Sequence, residues 1–415
     1  MDDLAALAAG IDPDRPLQFG RSTGTDLHVH VGTTPLGAGI SGVPDGHGVR
    51  LRRAGHPFPT VHRGTGLGSV YTAAVLAAEV FKEIIDLAPN RHVKRDRIDL
   101  CPVTLAEPGV AAEISILDHH VLIGAGAIGT AVALILRELS ATGTLAVVDP
   151  ESFEEPNVAT YSLGDLAAAA KRLPKVDILV QHLPGIDVRR HPIRALEYLN
   201  LVDNGNEPPP RTVLGAVDSI HARHEIARLH ANLVLDGSTG GNVGTTVGLS
   251  EATFAGPCLR CYYPQQPSSK GQSAEQLLAQ ATGLRLDRIA RGDLPLTKDD
   301  LRELSPNSRR LLSAHLGRPV CGLARALDLT ARPDPGQFRP SIVFAAQQAA
   351  ALVVGALIRH NTHPESISRD IEYDTLYGPQ PGMVQKRNAR HNCTCQTDAK
   401  LIQDVRARRN RHSTS

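Results

Sequence analysis

Short aliphatic runs alternate with helix-patterned segments from Ile114 onward. The runs are ISILDHHVLI, TLAVVD, TVLGAVD and ANLVLDGS, and the segments between them carry apolar residues at helical spacing. Strand signals that alternate with helix signals are typical of a parallel sheet with crossover helices. The pattern therefore predicts an α/β core with a mainly parallel sheet.

Three further regions differ from this core in composition. Residues 1–110 are rich in Gly, His and Pro and end in the apolar helical pattern GLGSVYTAAVLAAEVFKEIIDLAP, which resembles the run at 341–358. One interpretation is a degenerate α/β region that is a shortened second copy of the fold unit. The polar, charged residues 265–337 predict a helical insertion. The predicted divisions are 1–110, the core at 111–264, the insertion at 265–337, and 338–415 with a core helix, a cysteine pair and a basic tail.

Charge and cysteine content exclude several classes of protein. The formal net charge is +1, from 44 Lys and Arg against 43 Asp and Glu, so no global field attracts nucleic acid or membranes. Six cysteines in 415 residues, with no charged-then-apolar leader in MDDLAALAAG, indicate a cytoplasmic protein with reduced thiols. The apolar run at 341–358 nearly reaches membrane-spanning length, but Gln347 and Gln348 near its middle favour a packed core helix.

The C-terminal segment is basic. Residues 386–411 hold eight Lys or Arg against two Asp. This composition predicts a solvated basic terminus, and the alternative is a binding arm.

A glycine-rich turn follows the first strand of the predicted core. The run VLIGAGAIG places Gly124, Gly126 and Gly129 in the GxGxxG spacing between a strand and a helix, where the backbone approaches a phosphate closely. Asp149 ends the next strand, where a carboxylate accepts hydrogen bonds from ribose hydroxyls. The context predicts a Rossmann-like nucleotide-binding core. The alternative is a glycine-rich turn that only packs.

The run GPCLRCYYP places Cys258 and Cys261 at the spacing of a metal-binding turn. A structural zinc site needs four ligands, and this pair supplies two. The residues alone leave three interpretations open: half of a zinc site, a redox dithiol, or two unrelated thiols.

The order of polar residues along the core resembles the ThiF/MoeB family, bacterial relatives of the ubiquitin-activating enzymes. That family has a glycine loop, an Asp-x-Asp after the second strand, an Asn, a Lys-Val-Glu, a later Asp, and two cysteine pairs. The ordered set is specific, although no single element is decisive. The matching residues, over about 114–262, are Gly124, Gly126, Gly129, Asp149, Glu151, Asn157, Lys175, Asp218, Cys258 and Cys261.

The resemblance implies an ATP-dependent adenylyltransferase that converts a carboxylate into an acyl-adenylate and releases pyrophosphate. In that scheme the glycine loop holds the adenosine phosphate and Asp149 the ribose, with Glu151 in the same nucleotide-binding set. Lys175 contacts the phosphates, Asp218 holds Mg²⁺, and Asn157 donates a hydrogen bond near the reacting phosphate. A structural role is the alternative for each of the last three: Lys175 as a solvated helix residue, Asp218 as a helix N-cap, and Asn157 as a turn residue.

One departure from the family concerns the triphosphate. The family places an Arg a few residues after the Asn, whereas this chain has VATYS, with Thr160 and Tyr161 at the corresponding place. The missing cation weakens ATP binding unless another arginine replaces it, from the N-terminal region or a partner subunit. A non-catalytic copy of the fold is therefore an alternative.

The resemblance also implies a second cysteine pair, and HNCTCQ supplies Cys393 and Cys395. Four thiolates would then hold a structural Zn²⁺ that ties the C-terminal segment to the core. The spacing is Cys-x-Cys where the family prefers Cys-x-x-Cys. Cys321 lies in the region where thioester-forming relatives carry their nucleophile, and its alternative is a buried thiol.

The implied substrate is the C-terminus of a ubiquitin-like or sulfur-carrier protein. The alternatives are a small peptide or small-molecule carboxylate, a nucleotide-binding scaffold without catalysis, and an NAD- or FAD-dependent oxidoreductase, which has no use for Lys175 and Asp218. The resemblance implies a homodimer, for which the apolar helices at 71–85 and 341–358 would supply the contact unless they are interior.

Overall fold

The computed structural model describes residues 27–33, 39–85, 92–111, 117–240, 244–254, 256–264, 274–290, 296–317, 320, 323, 342–363, 368–379 and 382–412. The chain divides into two compact units. One unit comprises Met1–Pro264 and Pro340–Ser415, and the other comprises Gln265–Arg339.

The described strands form two sheets, both in the larger unit. The four-stranded sheet contains β1 (Val29–Val31), β2 (Ile40–Asp45), β3 (Gly48–Arg53) and β4 (Arg97–Leu100). The eight-stranded sheet contains β5 (Leu117–Ile123), β6 (Gly143–Val148), β7 (Ile186–His191), β8 (Thr212–Gly215), β9 (Leu233–Gly240), β10 (Thr246–Thr253), β11 (Arg369–Asp374) and β12 (Val384–Lys386).

The described α-helices are distributed along both units. Those of the larger unit are α1 (Gly66–Ile84), α2 (Ala127–Glu138), α3 (Glu155–Val158), α4 (Leu166–Ala170), α5 (Lys175–His182), α6 (Ala195–Asp203), α7 (Ile220–Ala227), α8 (Leu259–Tyr262), α12 (Val343–Thr362), α13 (Thr394–Thr397) and α14 (Ala399–His412). Those of the smaller unit are α9 (Ala274–Thr282), α10 (Leu286–Ala290) and α11 (Pro306–Ser313).

The large sheet has the order β12-β11-β10-β9-β8-β5-β6-β7. Strands β9, β8, β5, β6 and β7 are parallel, and β10, β11 and β12 extend the sheet in antiparallel pairing. The mainly parallel α/β core predicted from the sequence is confirmed. The chain leaves β5 toward β6 on one side, and β8 lies on the other, so the carboxyl ends of β5 and β8 form the switch point at which α/β sheets bind ligands.

The small sheet has a different strand pairing. Strand β1 pairs with β2 in parallel, whereas β2, β3 and β4 pair antiparallel, and β2 and β3 form a hairpin through Gly46 and His47. The predicted shortened second copy of the fold unit stays a prediction.

Helices α1 and α12 pack against each other inside one core. The rings of Phe81 and Phe344 have centroids 5.4 Å apart. Gln348 Nε2 donates to Ala74 O at 3.1 Å, and Tyr373 Oη donates to Gln348 Oε1 at 2.8 Å. The alternative that these two helices are interior therefore holds, because their apolar faces pack within the chain.

The length and apolar composition of α12 match those of a membrane span, yet 89% of that apolar window is buried inside the chain. The helix contributes Ala345, Ala349, Leu352 and Val353 to the core shared with α1, α2 and the large sheet. It is a packed core helix, as the two central glutamines indicate.

The basic C-terminal segment is not simply solvated. It forms α14, in which Arg409 is 5% exposed and donates from Nε to Asp203 at 2.8 Å and from Nη1 to Leu229 O at 2.6 Å. Lys400, Arg408 and Arg411 on this helix are exposed, as the predicted solvated terminus requires, whereas the buried guanidinium of Arg409 anchors the helix to the segments that carry Asp203 and Leu229.

The smaller unit has its own apolar cluster. Leu278, Leu284, Leu301 and Leu312 pack together, and Arg288 pairs with Asp300 at 2.6 Å. The unit spans Gln265–Arg339, and the sequence predicts a helical insertion over 265–337.

A buried charge network joins β10 to the last turn of α12. Glu251, which is fully buried, pairs with Arg359 and lies 3.0 Å from His360 Nε2. Arg359 Nη1 also donates to Val103 O at 2.5 Å, which holds the segment after β4 against the helix.

We expect Arg359→Met to destabilise the chain by about 3–5 kcal/mol, because it leaves the carboxylate of Glu251 buried without its main partner. Arg137→Met is the matched control: Arg137 pairs with Glu138 at the surface, and its loss should cost less than about 1 kcal/mol. Urea unfolding followed by circular dichroism measures both. Equal losses in the two variants would show that the buried network does not stabilise the fold.

Candidate functional site

The glycine loop connects β5 to α2 in a conformation that requires two of its glycines. Gly124 has φ +100°, and a Cβ there would lie 2.5 Å from Ala216 O. A Cβ on Gly129 would lie 2.0 Å from Gly124 O. Larger residues would separate the loop from the turn after β8. The two glycines therefore allow the ends of β5 and β8 to lie close together.

Gly126 differs because the space beside it is open. A Cβ there would meet only Tyr161, at 3.5 Å from Oη, which is ordinary contact. Gly126 is the N-cap of α2, whose first backbone N–H groups receive no side-chain cap from it. The helix N-terminus therefore presents free donors and a partial positive charge at the loop, which suits an anion.

Asp149 follows β6 and fastens the glycine loop. One carboxylate oxygen accepts from Ala125 N at 2.7 Å and the other from Glu151 N at 2.9 Å. The side chain is 7% exposed, and burial raises the pKa of Asp149 although both backbone donors oppose the shift. Asp149 thus shapes the loop, and its contact with a ribose stays a prediction.

Lys175 begins α5 and points its charge at the same loop. It is 5% exposed, and Nζ donates to Glu151 Oε2 at 2.5 Å and to Tyr161 Oη at 2.8 Å. Burial alone would lower the pKa of Lys175, but Tyr161 and Glu151 raise it above its ordinary value, so the ammonium stays charged. The alternative of a solvated helix residue is wrong for Lys175.

Tyr161 lies beside the glycine loop, and the sequence interpretation gave it no role beyond occupying the place of the family arginine. Its phenol lies between Lys175 and Gly126, and its ring packs edge-on against Phe153 at 5.5 Å. Because Oη accepts a hydrogen bond from Lys175, its own proton is left to donate elsewhere. The available signal was its place in VATYS, where the family carries an arginine.

Asn157 lies on α3 and forms a capping contact. Its Oδ1 accepts from Glu154 N at 2.8 Å, which closes the first turn of this short helix. This contact matches its alternative role as a turn residue. The predicted contact of Asn157 with the reacting phosphate stays a prediction.

Asp218 is exposed and lies in the turn between β8 and α7. The residue that caps α7 is Ser219, whose Oγ accepts from Ala222 N at 3.1 Å. The alternative of Asp218 as the N-cap is therefore wrong, and its carboxylate is not used by the helix. Strands β8, β5 and β6 are neighbours, so Asp218, the glycine loop and Asp149 lie at one edge of the sheet.

A buried network positions the turn that carries Asp218. Arg223 Nη2 donates to Val217 O at 2.8 Å, and Arg223 Nε donates to Asp236 Oδ2 at 2.7 Å. Tyr263 Oη donates to the same Asp236 oxygen at 3.0 Å, and the Arg223 guanidinium lies 4.6 Å from the centroid of the Tyr263 ring. Asp236 is fully buried, and burial raises its pKa while Arg223 opposes the shift.

The four predicted cysteine ligands come together. The Sγ atoms of Cys258, Cys261, Cys393 and Cys395 all lie within 4.8 Å of one another. The closest pairs are Cys258 with Cys393 at 3.6 Å and Cys261 with Cys395 at 3.5 Å. Ligand sulfurs at about 2.3 Å from a tetrahedral centre lie about 3.8 Å apart, so the cluster fits a metal ion.

The surroundings of the cluster also fit a metal. Cys258 and Cys393 begin the short helices α8 and α13, and Arg390 N donates to Cys261 Sγ at 3.4 Å. Burial raises the pKa of Cys261 to about 11, so a cation is needed to keep this sulfur as a thiolate at neutral pH. The pair in CLRC is therefore half of a four-cysteine cluster. Cys321 lies outside the described residues.

The cysteine cluster and the Asp218 turn are linked through one tyrosine. Tyr263 follows Cys261 by two residues, and its backbone O lies 2.6 Å from His224 Nε2 on α7. Its side chain contacts both Arg223 and Asp236, as described above. A continuous set of contacts thus runs from the cluster to the turn that carries Asp218.

Comparison with known proteins gives relatives in sequence and in structure. The chain is 31% identical over 166 residues to the adenylyltransferase and sulfurtransferase UBA4 of Eremothecium gossypii, covering 38% of this chain and 36% of that protein. It is 26% identical over 179 residues to the protein of the same name from Vanderwaltozyma polyspora, covering 40% and 39%. The chain thus matches little more than a third of the length of these curated relatives.

Crystal structures of E. coli MccB are similar to this structure at low sequence identity. The complex of MccB with MccA-N7isoASN has a TM-score of 0.41 and 15% identity, with 67% of each chain covered. The complex with AMPCPP and MccA has a TM-score of 0.38 and 13% identity, with 85% of this chain and 96% of that chain covered.

The sequence model of the ThiF family matches residues 107–396, which is more than half of the chain. This range contains the glycine loop, Lys175, Asp218 and all four clustered cysteines. The chain belongs to the ThiF family.

Proposed function

We propose that the chain is an ATP-dependent adenylyltransferase that activates the C-terminal carboxylate of a ubiquitin-like or sulfur-carrier protein. The observation that carries the proposal is the convergence of the glycine loop, Lys175 and Asp218 at the switch point of the sheet. An oxidoreductase of this fold needs neither the buried ammonium nor the exposed carboxylate. The names of the UBA4 relatives support the reaction and the class of substrate.

In the proposed reaction a carboxylate oxygen of the substrate attacks the α-phosphorus of ATP. The new P–O bond forms as the bond to the pyrophosphate oxygen breaks, which yields an acyl-adenylate and pyrophosphate. The N-terminus of α2 and the ammonium of Lys175 stabilise negative charge on the phosphates, and their fixed positions need little reorganisation. Asp218 would hold Mg²⁺, which neutralises phosphate charge, and an exposed carboxylate is a suitable hard ligand.

Tyr161 supplies a hydrogen-bond donor to the phosphates, which in other members of the family is one function of the arginine. Lys175 occupies the acceptor side of the phenol oxygen, so the phenol proton is directed to a phosphate oxygen near Gly126. The phenol is neutral, and therefore the site carries one positive charge fewer than that of a relative with the arginine. A second subunit that adds an arginine would restore this charge, and a homodimer is part of the proposal through a surface other than α1 and α12.

The metal in the cysteine cluster is proposed to be Zn²⁺. Four soft sulfur donors in a tetrahedral arrangement favour zinc over Mg²⁺ or Ca²⁺, and a closed set of ligands indicates a structural role. Four adjacent thiolates persist where disulfides do not form, which supports the proposed cytoplasmic location.

We expect the purified chain to catalyse exchange of labelled pyrophosphate into ATP when a suitable protein C-terminus is supplied. Asp218→Asn and Lys175→Met should each reduce the rate about 10²–10³-fold, because each removes a charge aimed at the phosphates. Asp187→Asn, at an exposed position on β7, is the matched control and should leave the rate unchanged. Bound ATP without exchange for any carboxylate would instead favour a non-catalytic scaffold.

Tyr161→Phe should lower kcat for exchange about tenfold or more while the fold is retained, since it removes the hydroxyl that would donate to a phosphate oxygen and that accepts from Lys175. Tyr71→Phe removes another buried phenol, one that bonds Tyr373, and serves as the control. Steady-state kinetics with ATP as the varied substrate separates kcat from KM. Unchanged kinetics in Tyr161→Phe would exclude a phosphate contact by this residue.

The purified chain should contain one zinc per molecule by elemental mass spectrometry. Cys258→Ser and Cys393→Ser should each lose the metal and lower the thermal unfolding temperature, because the C-terminal segment loses its tie to the core. Cys101→Ala alters a buried thiol outside the cluster and should retain zinc. Zinc retained in both serine variants would place the metal elsewhere.

A further inference from the structure

A cavity of about 310 Å³ opens at the amino-terminal edge of the parallel strands. Its walls are the segment 208–211 that enters β8, the turn that enters β9, the start of β5 and one face of α14. Asp218 and the glycine loop lie at the carboxyl ends of the same strands. The cavity is therefore separate from the proposed adenylation site, and its volume is in the range of small-molecule sites.

The lining is basic. Arg211, Arg406 and Arg409 contribute guanidinium groups, His119 and His230 contribute imidazoles, and no described residue of the lining is Asp or Glu. Burial and the neighbouring arginines lower the pKa of His230 to about 4, so its ring is neutral at physiological pH. The positive charge of the lining is thus carried by arginine and not by His230.

The charge of Arg406 lacks a counterion within the part of the chain that the structure describes. Its guanidinium lies 3.8 Å from the centroid of the Phe254 ring and donates to Asn232 Oδ1. Arg409 differs, because it pairs with Asp203 at 2.8 Å. Arg406 is half-buried, burial lowers its pKa, and a bound anion would supply a counterion for its guanidinium.

Two lining residues have an unfavourable backbone conformation. His119 has φ 50° and His230 has φ 51°, in the left-handed region that side chains other than glycine rarely adopt. Such conformations persist where surrounding structure imposes them, and they cluster at binding sites. Both residues lie on the wall of the cavity.

We propose that this cavity binds a small phosphate-bearing anion through Arg211 and Arg406. Guanidinium groups present paired N–H donors that match phosphate oxygens, and donors from two different walls suit a tetrahedral group better than a planar carboxylate. The phosphate could be free, as inorganic phosphate or pyrophosphate, or carried by a mononucleotide. The shared chemistry is the phosphate group.

The test is calorimetric titration of the full-length Lys175→Met chain at constant ionic strength, with phosphate, pyrophosphate and AMP as separate probes. This background weakens anion binding at the adenylation site, and the arginine variants described next assign the remaining binding to the second site. We expect saturable binding of at least one probe with a stoichiometry of one. Pyrophosphate binding tighter than AMP binding assigns a free anion, and the reverse order assigns a nucleotide.

Arg211→Gln and Arg406→Gln, added to this background, should each weaken the affinity at least tenfold. Arg408→Gln removes the same charge from an exposed position on α14 outside the cavity, and it should leave the affinity unchanged. Arg211 lies at the surface, so its replacement keeps the test valid even where Arg406→Gln loosens α14. Circular dichroism checks the fold of each variant.

Three results would overturn the proposal. The first is no saturable binding of any probe. The second is equal weakening by Arg408→Gln, which would indicate a diffuse field rather than a site. The third is tighter binding of a single-stranded oligonucleotide than of any small probe, which would assign the surface to nucleic acid.

Discussion

The structure depends most on the close approach of the loop after β5 to the turn after β8. Gly124 lies against Ala216, and Gly129 lies against Gly124, at distances that leave no room for a Cβ. Because β6 and β8 flank β5, this approach gathers the residues that follow three parallel strands at one edge. Asp149, which fastens the loop, and the exposed Asp218 both lie at this edge.

A buried hydrogen-bond network holds the turn after β8 at this edge. Asp236 lies on β9 and binds Arg223, which in turn holds the carbonyl of Val217 beside Asp218. Removing one member of a buried ion pair leaves the other charge uncompensated, so this network strongly resists rearrangement. Tyr263 joins the network to the cysteine cluster. The C-terminal segment therefore contributes to the site although it is distant in sequence.

Much of the site could be predicted because its signals are local or ordered along the chain. The spacing of Gly124, Gly126 and Gly129 reflects steric limits of one turn, and the two cysteine pairs need only a shared ion to be brought together.

The remaining features required tertiary contacts. The phenol of Tyr161 bridges Lys175 and Gly126 across separate elements, and no spacing rule encodes that bridge. Ala-rich helices show the same spacing of apolar residues at a subunit interface as in a core. The sequence therefore did not reveal that α1 packs against α12. The buried Arg409 was likewise hidden within a run of basic residues.

The central claim is that the carboxyl edge of β5 and β8 binds ATP, and calorimetric titration of the chain with ATP and Mg²⁺ tests it most directly. Gly126 is the informative position, because its φ of −82° suits other residues, a Cβ there makes only ordinary contact, and the methyl groups of a valine would occupy the space before the α2 N-terminus. We expect one ATP to bind per chain, and Gly126→Val to weaken the affinity at least tenfold with an unchanged thermal unfolding temperature. Absence of ATP binding, or equal affinity in the folded Gly126→Val variant, would contradict the account.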